Sequence, residues 1–471
     1  MVAGTKERNT ANRRRLGPSA REVAMEVLTR VEQEKAYSNL ELGRTLKKAG
    51  LSRPDAALAT ELVYGTIQRL NTLDFLLEPF VSRGLDRLEP WVRNLVRLSL
   101  YQIVYLERIP DHAAVNEAVN IARRKGHPGI AGMVNAVLRG CLRSREKLAV
   151  PDIADPIRRI ALVHSHPEWL VERWIRQFGE ADAEAICAAN NLPPRASIRV
   201  NPTRIAREQL IGRLVQAGLE AEPSPLSASG IIVSGGGNLA ELPEFREGLF
   251  SIQDESSMAV ADAVAPEPGM KVLDCCAAPG GKTAHLAERM NDKGEVWAND
   301  VHPHKERLIL DQASRLGLTS IRTLVSDAAE LASRFPPDAF DRILLDAPCS
   351  GFGVIRRKPE IKWMRSADDP ASLAEVQLRL LASVSGLVKP GGVVVYSTCT
   401  LEYTENEQVV RKFLAEHPEF EPDGRLETCV AETLWTRAGI APGMLRILPH
   451  MFHTDGFFIA RLRRKEMGSD R

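Results

Sequence analysis

The chain has no apolar stretch approaching the roughly 20 residues that a helix needs to cross a bilayer. Its Arg-rich, polar start also lacks the apolar core of a secretory signal. A cytoplasmic protein with no membrane partner is expected. The sequence is also without an excess of one charge: 62 Lys and Arg stand against 61 Asp and Glu. There is thus no global basic field of the kind that draws a polyanion, and contact with nucleic acid would need local patches. Four are present: Arg13-Arg14-Arg15, Arg123-Arg124-Lys125, Arg356-Arg357-Lys358 and the run from Arg461 to Lys465. Taken singly, each is most simply a solvated face. Cysteine is scarce, seven in all, an odd number with no repeated spacing and no C-x-x-C pair. That argues against a disulfide framework and against a zinc site, so no metal is expected and free thiols are.

The 471 residues exceed what one hydrophobic core usually supports, which predicts two or three domains. Residues 1–18 read as a polar, basic tail. Residues 19–145 read as all-helical: Ala24, Val27, Leu28 and Val31 fall at i, i+3, i+4, i+7, and Val115, Ala118, Val119 and Ala122 repeat the spacing. Pro18-Ser19 marks a helix start, and Pro110-Asp111 separates two later helices. Residues 157–250 mix a helix around Trp169 to Phe178 with strand-like runs, Ala196 to Val200 and Gly230 to Val233, broken by prolines and glycines. A small α/β connector is expected there. From 251 to 466 short apolar runs alternate with helical segments, the texture of a parallel sheet with crossover helices. The runs are Lys271 to Asp274, Glu295 to Asp300, Ile321 to Asp327, Arg342 to Asp346 and Gly392 to Ser397, with Gly456 to Leu462 as an added edge strand.

Four of those runs end in a carboxylate, Asp274, Asp300, Asp327 and Asp346. Ligands of open parallel sheets bind beyond the carboxyl ends of the strands, so these acids would line one crevice. Any one of them could instead cap the helix that follows. Between the first strand and its helix lies Cys276-Ala277-Ala278-Pro279-Gly280-Gly281-Lys282-Thr283. Its tail suggests a phosphate-binding loop, but that motif requires Gly where Cys276 stands, and G-x-G-x-x-G is absent here too. A Gly-rich turn followed by Asp300 at the end of the second strand could hold an adenosine cofactor, its ribose bound by the carboxylate.

Cys349 lies three residues past Asp346, and Cys399 lies in the turn after the fifth strand, so both thiols reach one sheet edge. Cys141, Cys187, Cys275 and Cys429 read as small buried hydrophobes. A thiol, a carboxylate and an adenosine cofactor together suit methylation of cytosine at carbon 5. That carbon is too poor a nucleophile until a thiolate adds at carbon 6 and turns the ring into an enamine. Asp346 could stabilise charge at N3 or the exocyclic amine, with Lys282 orienting it. The residues leave the two thiols interchangeable in role.

At these residues the chain resembles a family. LDCCAAPGGKT, DAPCSGFGVIRRKPEIKW and YSTCTLEYTENE look like motifs I, IV and VI of the Sun group of RNA 5-methylcytosine methyltransferases. The resemblance implies a Rossmann-like α/β class I methyltransferase domain using S-adenosylmethionine. The cofactor would be held by Cys276 to Lys282 with Asp300, Asp327 and Asp346. Cys399 would be the nucleophile, and Cys349 would assist proton removal and product release. Cys275 stands where the family commonly has an apolar residue. The helical segments DAALATELVYGTIQRLNTLDFLL and HAAVNEAVNIARRKGHPGIAGMVNAVLRG resemble the NusB-like RNA-binding domain of the RsmB (Sun) branch, which implies small-subunit (16S) ribosomal RNA as substrate. QDESSM and TDGFFIARL also fit, and SIRVN loosely resembles an RNA-contacting insertion. Arg356, Arg357 and Lys358 then read as phosphate contacts near a flipped base. Rival readings are methylation of another RNA such as tRNA, a catalytically silent NusB-like RNA-binding factor, and a small-molecule or protein methylase.

Overall fold

The computed structural model describes residues 17–235 and 237–466, so most of the basic tail, Arg13-Arg14-Arg15 included, lies outside the described residues. The chain divides into two units, one of residues up to Asn191 together with Lys358–Met364, the other of the remainder. No helix among the described residues is long and apolar enough to cross a membrane.

The first unit is helical. Its leading helices are α1 (Ala20–Glu34), α2 (Ser38–Ala49), α3 (Arg53–Gln68), α4 (Leu70–Leu77), α5 (Pro90–Tyr105), α6 (Asp111–Lys125) and α7 (Pro128–Arg143). Ser19 caps α1 through a reciprocal pair: its hydroxyl accepts from the Glu22 N–H, and its own N–H donates to Glu22 Oε2. A cap of this kind contributes about 1 kcal/mol. The expected stripe Ala24, Val27, Leu28 and Val31 is buried in the unit's main core with Leu62, Leu95 and Leu138. Three more helices, α8 (Pro156–Val163), α9 (Glu168–Phe178) and α10 (Glu180–Asn190), belong to the same unit. Thr72 Oγ1 donates to the Leu162 carbonyl at 2.5 Å, and Asn71 Nδ2 to that of Ala161 at 3.1 Å. The expected connector over 157–250 is thus divided, its helical third joining the helices before it. Lys358–Met364 completes the unit: the Ser38 N–H and hydroxyl both donate to buried Glu360, and Trp363 Nε1 donates to the Ile67 carbonyl.

The second unit begins with a four-stranded antiparallel sheet of β1 (Ser197–Val200), β2 (Glu220–Pro223), β3 (Gly230–Ser234) and β4 (Phe250–Ile252), in the order β2-β3-β1-β4, with α11 (Arg207–Gln216) packed on it. The first four residues of SIRVN form β1, and Arg199 within it is fully buried. Its guanidinium donates to both oxygens of Glu288, at 2.7 and 3.1 Å, and to the Gly281 carbonyl at 3.0 Å. Arg199 is therefore no RNA contact, contrary to what the likeness of SIRVN implies.

The larger sheet contains β5 (Lys271–Asp274), β6 (Glu295–Asp300), β7 (Ile321–Val325), β8 (Phe340–Asp346), β9 (Val388–Thr398), β10 (Phe420–Pro422), β11 (Gly439–Ala441), β12 (Met444–Ile447) and β13 (Phe457–Arg464). Its order is β11-β12-β13-β9-β8-β5-β6-β7, with β10 on β13. β7, β6, β5, β8 and β9 run parallel, and β13 joins β9 antiparallel. Period-2 alternation divides the strands between two cores. Leu344, Val393 and Val395 face α12 (Glu255–Val264), α13 (Gly281–Arg289) and α14 (Pro303–Leu316). Ile343, Leu345, Val394 and Tyr396 face α15 (Asp369–Ser385) and α16 (Glu407–Glu416). The run Gly456 to Leu462 is not the edge expected of it, because β13 lies between β9 and β12. Its Arg461, which suggests a solvated rim in sequence, is buried with Nε on Asp423 at 2.7 Å. Arg464 and Lys465 are likewise engaged, with Asp338 and the Pro418 carbonyl, so the C-terminal basic run is not a free patch.

Close packing in the helical unit generates a test. A Cβ on Gly65 of α3 would lie 2.0 Å from Cζ of Tyr101, whose hydroxyl is held by Glu61 at 2.6 Å and whose ring stacks on Tyr105. Alanine improves helix propensity by about 1 kcal/mol, but overpacking a ring that cannot swing away costs about 1–3 kcal/mol. Gly65→Ala is expected to lower stability in denaturant titration; an unchanged or higher midpoint contradicts this packing.

Candidate active site

The order of the parallel strands reverses between β5 and β8, from which the chain proceeds outward in both directions. Such a switch point opens a crevice at the carboxyl ends of the strands. The loop from Cys276 to Gly280 leaves β5 on one side of it, and the loop carrying Cys349 leaves β8 on the other. β9 pairs with β8 so that Ser397 stands opposite Asp346. Cys399, two residues past Ser397, and Cys349, three past Asp346, therefore turn over the same edge. Their sulfur atoms are 3.4 Å apart.

Around the two thiols the charged groups are fixed. Ser397 Oγ donates to Asp346 Oδ1 at 2.7 Å, and Lys282 Nζ donates to Asp346 Oδ2 at 2.8 Å. The Lys282 ammonium also lies 5.0 Å from the centroid of the Phe457 ring. Burial alone would lower the Lys282 pKa, but the Asp346 carboxylate outweighs it and the net shift is upward, so the ammonium stays charged. The Cys349 thiol is pushed well up, first by its hydrogen bond with Cys399 and then by burial.

A buried polar clamp lies beneath the pair. Ser350, next to Cys349, and Thr400, next to Cys399, share a hydrogen bond of 2.7 Å between their hydroxyls. Glu405 accepts from both the N–H and the hydroxyl of Ser350, and from Gln377 Nε2 at 2.9 Å. Asn406 binds Thr398 Oγ1 and the Thr400 carbonyl. Backbone crowding holds the other side: the Gly353 N–H donates to the Cys399 carbonyl at 2.9 Å, and a Cβ on Gly353 would lie 2.0 Å from the Gly456 carbonyl oxygen. None of Ser350, Thr400 or Glu405 is expected from the sequence, although the hydroxyl residues directly after each cysteine are the only local sign of them.

The four strand-end acids do different work. Asp274 is buried, accepts from Thr283 Oγ1 at 2.7 Å, and is raised by burial to about 7. Its Oδ1 has no partner. Asp300 accepts from the N–H groups of Ala278, at 3.2 Å, and His302, at 3.0 Å, tying the Gly-rich loop to the end of β6. Asp327 is exposed and caps the following turn through the Ala329 N–H at 2.9 Å, so capping describes it well. Gly280 has φ of 101°, a left-handed conformation that favours glycine, and a Cβ on Gly281 would meet no atom within 4 Å. Ala277 is buried and Pro279 exposed, while Cys276 is half-buried with its thiol pushed up by burial.

The basic triplet past Cys349 departs from expectation. Arg356 is buried and donates to the carbonyls of His453, at 2.8 Å, and Pro449, at 3.2 Å. Arg357 bridges Asp455, at 2.6 Å, and Asp254, at 2.7 Å. Both guanidiniums hold the fold together and are not offered to phosphate. Lys358 lies in the helical unit, 5.3 Å from the Tyr37 ring centroid. Cys141, Cys187 and Cys275 are buried as expected, and Cys429 is half-buried.

Together the reversed parallel sheet, the Gly-rich turn and the acids at the strand ends define a Rossmann-like α/β methyltransferase domain. Residues 261–463 match the family described as 16S rRNA methyltransferase RsmB/F, residues 18–143 the NusB family, and residues 166–240 a ferredoxin-like domain of RsmF/B-like methyltransferases. A protein of Bacillus subtilis named "Probable ribosomal RNA small subunit methyltransferase B" is 48% identical over 450 residues, covering 95% of this chain and 99% of its own. The crystal structure of PH0851 superposes with a TM-score of 0.80 at 27% identity, covering 96% of this chain and 100% of that one. The structure of NSun6 from Pyrococcus horikoshii with SFG gives 0.57 at 25% identity over 65% of this chain and 100% of that one. The chain belongs to the RsmB/F family of 16S rRNA methyltransferases and carries that family's NusB-like domain.

The clamp is tested at Thr400. Thr400→Val keeps the volume but removes the hydroxyl that meets Ser350, whereas Thr400→Ser keeps it. Small displacements of reacting groups are costly, so methyl transfer is expected to fall about tenfold in the valine variant and to be retained by serine. Equal rates in steady-state assay would contradict the clamp.

Proposed function

We propose that the protein transfers a methyl group from S-adenosylmethionine to carbon 5 of a cytosine in 16S ribosomal RNA, in the cytoplasm, through a covalent thiolate–cytosine intermediate. The observation that carries this reading is the pair of sulfurs 3.4 Å apart beside the Lys282–Asp346 ion pair. Ribosomal RNA as substrate is supported by the names of the curated relatives, and the cofactor by the NSun6 structure obtained with SFG, an S-adenosylmethionine analogue. The residues fit such a cofactor: Asp274 offers a buried acceptor without a partner, Gly281 an open approach, and the first turn of α13 N–H groups that no helix can satisfy internally. Cys276 to Lys282, Asp300, Asp327 and Asp346 would hold it. When bound, the cofactor supplies an electrophilic methyl on a sulfonium.

The chain's own residues supply the rest. Cys399 acts as the nucleophile, its thiolate favoured by the S–H of Cys349 and by the Lys282 ammonium, whose pKa feels the Cys399 charge. It adds to carbon 6, and the electron pair released into the ring makes carbon 5 nucleophilic. Asp346, oriented from both sides, accepts a hydrogen bond from the exocyclic amine, and from N3 once the addition at carbon 6 has led to its protonation. Once Cys399 is bound to carbon 6 its negative charge is gone, and with it the largest cause that holds the Cys349 thiol up. Cys349 can then lose its proton to solvent water, and the thiolate so formed takes the proton from methylated carbon 5 as the carbon–sulfur bond breaks, which restores the aromatic ring and the Cys399 thiolate.

Labelled methyl transfer to 16S ribosomal RNA, followed by nucleoside analysis, tests this reading. The wild type is expected to yield 5-methylcytidine and Cys399→Ala none. Cys349→Ala is expected to accumulate a protein–RNA adduct that survives a denaturing gel. An adduct formed by the Cys399 variant instead would reverse the roles.

A further inference from the structure

The seven cysteines of the chain sit in unlike surroundings. Cys141, Cys187 and Cys275 are buried, and burial pushes each of these thiols up. Cys276 is half-buried, but burial, and after it the carboxylates of Asp274, Asp346, Asp300 and Asp327, disfavour its thiolate, the form that reacts. Cys349 and Cys399 are also half-buried, and they differ in having each other: their sulfurs are in contact at 3.4 Å. A covalent S–S bond is about 2.0 Å long, so the pair has to close by only about 1.4 Å. The segments that carry them are already drawn together. Ser350 and Thr400, each next to one of the cysteines, join their hydroxyls at 2.7 Å, and the Gly353 N–H holds the Cys399 carbonyl at 2.9 Å. Side-chain rotation alone is left to bring the sulfurs to bonding distance. The Lys282 ammonium, whose pKa is raised in part by Cys399, stands within electrostatic reach and favours a thiolate there.

We propose that Cys349 and Cys399 form a modification site for hydrogen peroxide, at which the two thiols are oxidised to a disulfide that a dithiol reductant reverses. The Cys399 thiolate attacks one peroxide oxygen and the O–O bond breaks, leaving a sulfenic acid on the cysteine. The other oxygen departs as hydroxide and takes the proton given up when the thiol ionised, forming water. The Cys349 sulfur then attacks the sulfenic sulfur, the S–O bond breaks, and the hydroxide released takes the Cys349 proton as a second water. The pair has lost two electrons and two protons, and one peroxide has become two waters. The second thiol decides the outcome: a sulfenic acid without one passes in excess peroxide to sulfinic acid, which thiols do not reduce. The disulfide occupies both sulfurs and so switches methyl transfer off until it is reduced. Its formation needs only the two thiols, whereas its effect on activity rests on the reaction proposed above.

The test treats the full-length protein with a small molar excess of hydrogen peroxide, blocks the remaining thiols and digests the chain without reductant. Mass spectrometry is expected to find the peptides carrying Cys349 and Cys399 linked, and titration of the denatured protein to show two of its seven thiols lost. Methyl transfer is expected to fall about tenfold or more and to return with dithiothreitol, because the bond removes the thiolate on which covalent catalysis depends. Cys349→Ser, a near-isosteric change checked by thermal melt, is expected to give no linked peptide and to carry Cys399 as a sulfinic acid that dithiothreitol does not restore. Treated wild type with no linked peptide, or with either cysteine linked to a different partner, overturns the site. Recovery of the Cys399 thiol by dithiothreitol in the serine variant contradicts the role of Cys349 as its partner. These readouts follow thiols and peptides, so they stand even if the wild type methylates no RNA, a result that defeats the proposed reaction alone. Intact methyl transfer after peroxide treatment, without a linked peptide, defeats the modification site alone.

Discussion

The parallel pairing of β8 with β9 is the constraint on which the site depends. One register step, Asp346 opposite Ser397, places a carboxylate, its hydroxyl partner and two cysteines from segments 50 residues apart over one sheet edge. A slip of one residue would turn every side chain of the strand to the other face. The register is guarded by burial on both sides, since Leu344 and Val395 belong to one core and Leu345 and Tyr396 to the other. Hydrophobic packing one and two residues before Asp346 and Ser397 is thereby converted into a sulfur–sulfur distance.

The pairing alone would leave the two turns free to diverge, and the buried clamp of Ser350, Thr400, Gln377 and Glu405 removes that freedom. Glu405 is itself pushed up by burial, so its hydrogen bonds are made at an electrostatic cost that the surrounding donors offset. The same principle orders the thiols. Two adjacent acids of equal type in one low-dielectric site cannot ionise together, and the one that keeps its proton becomes a donor to the other. Arg199, Arg356, Arg357 and Arg461 extend the pattern outward, each a buried or half-buried cation satisfied by carboxylates or carbonyls of neighbouring segments. They fasten β1 to α13, and the loop past Cys349 to the turn before β13.

Much of this could be read from sequence, and the limits have physical causes. Strand ends marked by Asp274, Asp300 and Asp346 were legible because apolar runs stop at a charge, and the reversal of strand order gathers those ends. The capping box at Ser19 was legible because it is local. The arginines were not. A sequence shows an Arg as a charge but not the carboxylate across the fold that neutralises it. SIRVN, Arg356-Arg357 and the run from Arg461 therefore suggest nucleic acid, while the structure pairs their leading arginines internally. Within Gly456 to Leu462, Arg461 interrupts an otherwise apolar run, and its burial is explained by partners distant in sequence, Asp423 and the carbonyls of Ala263 and Val264. Residues 157–191 were read with the connector of 157–250, and only the long-range hydrogen bonds of Ala161, Leu162, Ser165 and His166 to Asn71 and Thr72 of α4, invisible in sequence, show their tie to the helices before them.

The central claim is that Cys399 forms the covalent bond and Cys349 serves its release. It is tested most directly by giving the wild-type protein an RNA whose target cytosine carries fluorine at carbon 5, together with S-adenosylmethionine, so that elimination cannot complete. The linked protein is then digested and the nucleotide-bearing peptide sequenced by mass spectrometry. The nucleotide is expected on the peptide carrying Cys399; finding it on the peptide carrying Cys349 would contradict the account.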